Sequence, residues 1–216
     1  MTAIARREDV RHPLFARAFD RVSGPMEREV GRHRDALLAG LSGQVVEVGA
    51  GNGMNFAHYP STVARVVAVE PEPYLRARAD QAAARAAVAV TVLDGVAEAL
   101  PLDDASVDAA VCSVVLCSVR DQRSALAELR RVLRAGGEVR AFEHVRATGA
   151  GKARVQDAFD RSGVWPRLAG GCHCARDTLA ALVEAGFRVA DARRVDVGPS
   201  WLITNPHVLA RAVAPG

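Results

Sequence analysis

The chain has 216 residues, half of them hydrophobic and a quarter charged, with a formal net charge of +3. That suffices for one sizeable core, while the small charge and 5% aromatic content exclude an extended nucleic-acid-binding surface. The longest apolar stretch, 109–119, is about half the length that spans a bilayer, and MTAIARREDVRHPLF carries charges where a signal peptide keeps an apolar core. The expectation is therefore a cytoplasmic protein without membrane or nucleic-acid partners, its four cysteines reduced.

The first segment, residues 11–41, reads as two helices broken at Ser23-Gly24-Pro25. It suits either a lid over a ligand cleft or helices packed on a sheet. VVEVG (45–49) follows as a strand, and NFAHY after it opens a helix. RVVAVE (65–70) is the second strand, and PEPYLRARADQAAARAA a helix that starts behind a proline. AVTVLDG (89–95), VDAAVCSVV (107–115) and EVRAFEHV (138–145) are further β-branched runs. Continuous apolar runs of this kind mark parallel strands covered on both faces. DQRSALAELRRVLRAGG places Leu126, Leu129, Val132 and Leu133 at helical spacing, with the glycine pair as its stop. Residues 177–187 give a helix capped by Asp177 and ended by Gly186. A last strand pair lies around 188–195 and 200–209. This alternation predicts a doubly wound, mostly parallel α/β sheet with ligands beyond the carboxyl ends of its strands. We divide the single expected domain into an N-terminal helical segment (1–41), a cofactor-binding core (42–146) and a substrate-side region (147–216).

VVEVGAGNG (45–53) carries the chemistry. Gly49, Gly51 and Gly53 permit a tight turn and close approach of backbone to a bound molecule. A dinucleotide-binding loop spaces its glycines G-x-G-x-x-G, but position 54 is Met54. The spacing is E-x-G-x-G-x-G, led by Glu47. Glu70 ends the second strand, 17 residues beyond Gly53, where a carboxylate can accept both hydroxyls of a ribose. The turn Gly95-Val96-Ala97 ends the third strand, where backbone groups can read an adenine edge. Leu100-Pro101, Asp104, Ser106 and Asp108 follow in order.

With these elements the sequence resembles the class I S-adenosylmethionine-dependent methyltransferases. NFAHYP, VDAAVCSVVLCSVRDQ, ELRRVLRAGGEVRAFEHV, GGCHCARDTLAALVEAGF and GPSWLITNPHV are similar to the branch that methylates alkyl thiols, and the likeness covers most of residues 25–210. It implies S-adenosylmethionine as cofactor, S-adenosylhomocysteine as product and a small-molecule thiol as acceptor. The cofactor-binding residues it implies are Glu47, Gly49, Ala50, Gly51, Asn52, Gly53, Asn55, Glu70, Pro71, Gly95, Val96, Ala97, Cys112 and Ser113. Val96 stands where many class I enzymes have an aspartate for the adenine amino group, leaving Asp94 and Glu98 as substitutes. The animal members of the branch carry an apolar N-terminal anchor, and none is expected here.

A thiol ionises near neutral pH, so its methylation needs little more than alignment, whereas an alcohol acceptor needs a base. His144, ending the fifth strand, is a candidate base, or else a histidine bonded to a neighbouring loop. Cys117 and Ser118 follow the fourth strand at the methyl site, although Cys117 also reads as a small apolar filler. Cys172-His173-Cys174 is too tightly spaced for a zinc knuckle and has no second pair, so it reads as acceptor-pocket wall and no metal is expected. Phe15, Phe19, Trp165 and Trp201 are candidates for apolar pocket surface. The competing readings are O- or N-methylation with His144 as base, a nicotinamide oxidoreductase, and a non-catalytic cofactor-binding module. Met54 and the lack of a Tyr-x-x-x-Lys pair speak against the oxidoreductase.

Overall fold

The computed structural model describes residues 12–216. Its sheet contains β1 (Gly43–Val48), β2 (Val63–Val69), β3 (Val90–Leu93), β4 (Val107–Ser113), β5 (Leu133–His144), β6 (Arg188–Asp196) and β7 (Pro206–Val213). The order is β3-β2-β1-β4-β5-β7-β6. The first five strands pair in parallel, while β7 runs antiparallel to both β5 and β6. The chain reverses its direction of winding between β1 and β4, which opens a crevice at their carboxyl ends.

Helices cover both faces, so the central strands tolerate unbroken apolar sequence. On one side α1 (Pro13–Leu38) and α2 (Pro73–Ala83) bury Leu37, Leu38 and Ala79 against Val45, Val66 and Val111. On the other, α3 (Gln122–Val132) and α6 (Thr178–Glu184) bury Leu126, Leu129 and Leu182 against Val46, Ala110 and Val139. Asp121 and Asp177 cap α3 and α6 by accepting from the backbone N–H of Arg123 and Ala180, at 3.0 and 3.1 Å. α4 (Ala150–Ser162) and α5 (Val164–Leu168) lie between β5 and α6.

The seven-stranded, mostly parallel sheet agrees with the expectation, and five local readings are corrected. First, Ser23-Gly24-Pro25 does not break the N-terminal helix. Pro25 is exposed and removes one helical hydrogen bond, the one to the carbonyl of Arg21, itself an exposed residue. Both halves are held by the rest of the protein: Ser23 is buried and accepts from Asn52 Nδ2 at 2.9 Å, while Val30 and Leu37 lie in the core. Second, NFAHY forms only a 3₁₀ turn, Phe56–His58, cut short by Pro60. Third, α3 stops at Val132, four residues before Gly136, because Leu133 turns extended and starts β5. Fourth, the last strand begins at Pro206, since 200–205 forms turns. Fifth, α4 and α5 occupy the part of the substrate-side region ahead of the helix expected at 177–187, where a loop was expected.

Asp104, Ser106 and Asp108 hold the opposite end of the sheet from the crevice. Asp108 accepts from the backbone N–H of Gln44 at 2.7 Å and pairs with Arg134. Arg131 bonds Asp104 at 2.7 Å. Their order in the sequence therefore reports the fold and not the cofactor.

One buried amide fastens the substrate-side region. Gln156 of α4 is fully buried, accepts from Ala147 N–H at 2.7 Å, and donates to the carbonyls of Val145, Cys174 and Ile203. Replacement by leucine strands these groups at about 1–3 kcal/mol for each one left buried. Gln156→Leu is expected to lower stability by on the order of 3 kcal/mol in urea unfolding. A change below about 0.5 kcal/mol, typical of a surface substitution, would remove this role.

Candidate active site

A cavity of about 580 Å³ opens at the carboxyl ends of β1, β2 and β4, within the range of small-molecule and cofactor sites. The N-terminal half of α1 roofs it with Phe15, Ala16, Phe19 and Ser23, and α5 adds Trp165 and Leu168. The α1 roof is tied to the floor. Asp20 accepts from Asn52 Nδ2 at 3.0 Å, Tyr74 Oη at 2.8 Å and Arg78 Nε at 3.1 Å, and the Asn52 bond leads in holding its carboxyl below the usual range. His58 lies between Glu27 and Asp35 of the same helix, at 2.9 and 2.7 Å. α1 thus serves as both cavity cover and sheet-packing helix.

The floor is the glycine loop with three buried carboxylates. Glu70 accepts the N–H of Gly51 at 2.8 Å through one oxygen and that of Glu72 at 2.9 Å through the other. Burial raises its pKa, and these two bonds oppose the rise. Glu47 accepts from Asn55 Nδ2 at 2.9 Å and Tyr59 Oη at 2.7 Å, and Arg34 holds Asn55 Oδ1 at 2.6 Å. Burial pushes Glu47 up to about 7, against the pull of Tyr59, Asn55 and Arg34, with Glu70 adding to the rise. Glu72 lines the same wall, and its buried Oε2 has no hydrogen-bond partner among the described residues. The sequence reading missed Glu72 and Arg34. The signal for Glu72 was its position two residues beyond Glu70, at the start of a helix. Arg34 gave none, being 21 residues from the asparagine it holds.

Most of the expected cofactor residues line this cavity: Glu47, Gly49, Ala50, Gly51, Asn52, Asn55, Glu70, Pro71, Gly95, Val96, Ala97 and Ser113. Gly53 and Cys112 do not. A Cβ on Gly53 would lie 2.7 Å from Ala82 Cβ and 2.8 Å from Phe56, so that glycine serves packing. Cys112 is fully buried in the core behind β4, on the face opposite the one its neighbour Ser113 presents. Neither candidate for the missing aspartate is a free carboxylate. Asp94 pairs with Arg76 at 3.1 Å, and Glu98 accepts the backbone N–H of Arg120 and Asp121 at 2.9 and 3.2 Å.

The far end of the cavity follows β4 and β5. Val114 has left-handed backbone (φ +60°), a strained conformation for a β-branched residue. It is held there because the next three N–H groups, of Val115, Leu116 and Cys117, all donate to the fully buried Glu143 carboxylate at 2.9, 2.9 and 3.1 Å. His144, Ser118, Phe15, Phe19, Trp165 and Cys172 line this end. Cys117 lies directly behind it, fully buried. His144 Nδ1 is 3.5 Å from Cys117 Sγ and 3.4 Å from Cys172 Sγ, and the sulfurs are 3.9 Å apart. The thiol pair shares its protons unequally: the Cys117–Cys172 hydrogen bond raises Cys117 and lowers Cys172. His207 stacks on Phe142 and leans against His144, and burial lowers it to about 3, so it is neutral.

Besides the buried Cys117, two expected acceptor residues do not line the cavity. Trp201 is 77% exposed in the turn before β7 and does not line the cavity. His173 does not line it either; its N–H donates to the Cys117 carbonyl at 2.8 Å and its ring approaches Asp160. Cys174 also turns to Asp160, through its N–H at 3.1 Å. The Cys-His-Cys run therefore fans apart because only Cys172 faces the cavity.

A glycine loop after β1, an acid ending β2 and a covered crevice define the class: an α/β enzyme that binds a nucleoside-bearing cofactor without needing a pyrophosphate cradle. The residues fit S-adenosylmethionine, since Gly51 presents bare backbone, and Glu70 and the Oε2 of Glu72, which has no hydrogen-bond partner among the described residues, present carboxylate oxygens. A family model described as a methyltransferase domain matches residues 46–141. Human thiol S-methyltransferase TMT1B is 34% identical over 183 residues, covering 82% of this chain and 73% of the relative. Human thiol S-methyltransferase TMT1A is 34% identical over 182 residues with the same shares. The solved structure of N-methyltransferase NodS from Bradyrhizobium japonicum with S-adenosyl-L-homocysteine shares the fold, with a TM-score of 0.66 at 19% identity over 89% of each chain. The chain belongs to the class I S-adenosylmethionine-dependent methyltransferases, in the family of TMT1B and TMT1A. Its cofactor is S-adenosylmethionine.

Proposed function

We propose that this enzyme methylates the sulfur of a small apolar thiol. The observation that carries the reading is the acceptor end of the cavity. It is walled by Phe15, Phe19, Trp165 and Leu168, and His144, the candidate base that ends β5, is engaged by two cysteine sulfurs through Nδ1. The thiol-methylating relatives support the same acceptor. S-adenosylmethionine, when bound, supplies a methyl group on a positively charged sulfur. The protein's part is alignment, which can supply roughly 7–11 kcal/mol of a barrier. In this reading Gly51 and Glu70 orient the cofactor, α1 and α5 exclude water, and Glu143 fixes the loop that faces the acceptor. Arg176, half-buried and donating to the Leu116 carbonyl at 2.7 Å, places a positive charge beside that loop. The four cysteines are free, which suits a reducing cytoplasm. Among the described residues no helix is long and apolar enough to cross a membrane.

The test is a panel of alkyl thiols against matched alcohols and amines, with labelled cofactor. The thiols are expected to give methyl thioethers, at rates that rise with pH to a midpoint below the free thiol's own ionisation. Faster turnover of alcohols, with loss of activity in His144→Ala approaching the roughly 10²–10⁴-fold of a missing base, establishes O-methylation instead.

Glu47 makes a separate prediction. Its pKa is about 7 in the folded protein against 4.5 ordinarily. The folded state therefore holds a proton that the unfolded chain has released between those values, and this contribution to stability is lost as pH rises from about 4.5 to about 7. A cation in the cavity favours the ionised form. Cofactor affinity is thus expected to rise with pH up to about 7, by at most about tenfold per unit, with a proton released on binding. Calorimetry in buffers of different ionisation enthalpy measures that release. An equal release in Glu47→Gln assigns the proton to another group.

A further inference from the structure

Three ligand-capable side chains meet at the acceptor end of the cavity. Cys117, His144 and Cys172 come from three separate segments, and each is held in place. The Cys117 N–H is bonded to Glu143 and its carbonyl to His173 N–H. His144 ends β5 in register with His207 of β7. Cys172 follows Gly171, whose backbone (φ +89°) lets the loop press so closely that a Cβ there would lie 2.8 Å from the Ser118 carbonyl oxygen. The three ligand-capable atoms form a triangle of 3.9, 3.5 and 3.4 Å.

Those edges match one face of a tetrahedral zinc site. Zn–S of about 2.3 Å and Zn–N of about 2.0–2.1 Å at tetrahedral angles give S···S of about 3.8 Å and S···N of about 3.6 Å. Two thiolates and an imidazole are a donor set that suits zinc, and Cys₂His with an open fourth position is a known catalytic arrangement. Charge agrees as well, because two thiolates cancel a divalent ion where an isolated buried charge is costly. Cys172 and His144 line the cavity while Cys117 closes the back, so an ion on this triangle is reached from the acceptor side.

We propose that Cys117, His144 and Cys172 bind a zinc ion whose fourth position takes the sulfur of the acceptor thiol. The acceptor loses its S–H proton to solvent as its sulfur binds the metal, and is held there as a thiolate at the end of the cavity where methyl transfer occurs. The role of the fourth position rests on the thiol reading above; the metal site itself does not.

The full chain, purified under reductant and stripped with a chelator, is titrated with Co²⁺ and then Zn²⁺. One ion per chain is expected, with the visible bands of tetrahedral Co²⁺ and a thiolate-to-cobalt charge-transfer band. Cys172→Ala and Cys117→Ala should lose both signals, with S-adenosylhomocysteine binding retained in Cys172→Ala as evidence of an intact fold. Cys174→Ala, whose sulfur faces Asp160, should load like wild type. An alkyl thiol added to the Co²⁺ protein should shift the bands and the matched alcohol should not. No stoichiometric uptake, a Cys172→Ala protein that loads normally, or a Cys117–Cys172 disulfide in place of metal overturns the site. Bands unmoved by thiol overturn its acceptor role. Since uptake is read without any acceptor, failure of the thiol reading shows separately, as a preference for alcohols or amines in turnover.

Discussion

Gly51→Val is expected to abolish S-adenosylhomocysteine binding in a protein that still folds. Gly51 lies in the loop after β1 with φ +57°, and a Cβ built on it meets only Phe19, at 3.5 Å. Its added atoms would project toward the roofed cavity and not into the core. Strain from a left-handed non-glycine residue costs on the order of 1–3 kcal/mol, which a protein of ordinary stability survives. Gly53 is the informative contrast. A side chain there collides with Ala82 and Phe56, so Gly53→Val should lose the fold itself. Urea unfolding and calorimetric titration separate the two outcomes. Wild-type affinity in folded Gly51→Val would show that no ligand approaches this backbone.

Glu70→Ala is the second large effect. Its carboxylate already accepts the N–H groups of Gly51 and Glu72, which leaves one further acceptor direction on each oxygen. Two charged hydrogen bonds to ribose hydroxyls are worth about 1.5–3 kcal/mol each. Their loss together weakens cofactor binding by on the order of 10²–10⁴-fold. A strand-tip position suggests no cost to folding, but the buried carboxylate corrects that expectation: alanine leaves two backbone N–H groups without their acceptor and releases the loop that carries Gly51. Glu70→Gln separates the effects, since its single carbonyl can keep one of the two. Glu70→Ala with undiminished affinity would refute the assignment, whatever its stability.

The parts of the site legible from sequence are those a single strand and its following turn define. The glycine loop, Glu70 and Gly95-Val96-Ala97 each sit at the carboxyl end of one predicted strand, and a parallel sheet aligns those ends along one edge. The phase of the side chains was not legible. β4 is apolar on both faces, so its sequence does not distinguish Cys112, in the core, from Ser113, on the cavity wall. Trp201 misled for a related reason: an aromatic residue in a turn carries no period that tells cavity from solvent.

The sequence by itself determined the strand–helix alternation, the cofactor loop and the acid that follows it, because these depend on local propensity and backbone freedom. Tertiary structure alone decided that α1 runs through Pro25, since Asp20, Ser23 and His58 hold its halves on the same scaffold. It also decided that Glu47 holds its proton up to about pH 7, because desolvation comes from neighbours distant in the chain. It brought Cys172 to Cys117, 55 residues earlier, rather than to Cys174. Meetings of that kind are set by strand register and by loops pressed together across the sheet edge, which no short window of sequence encodes.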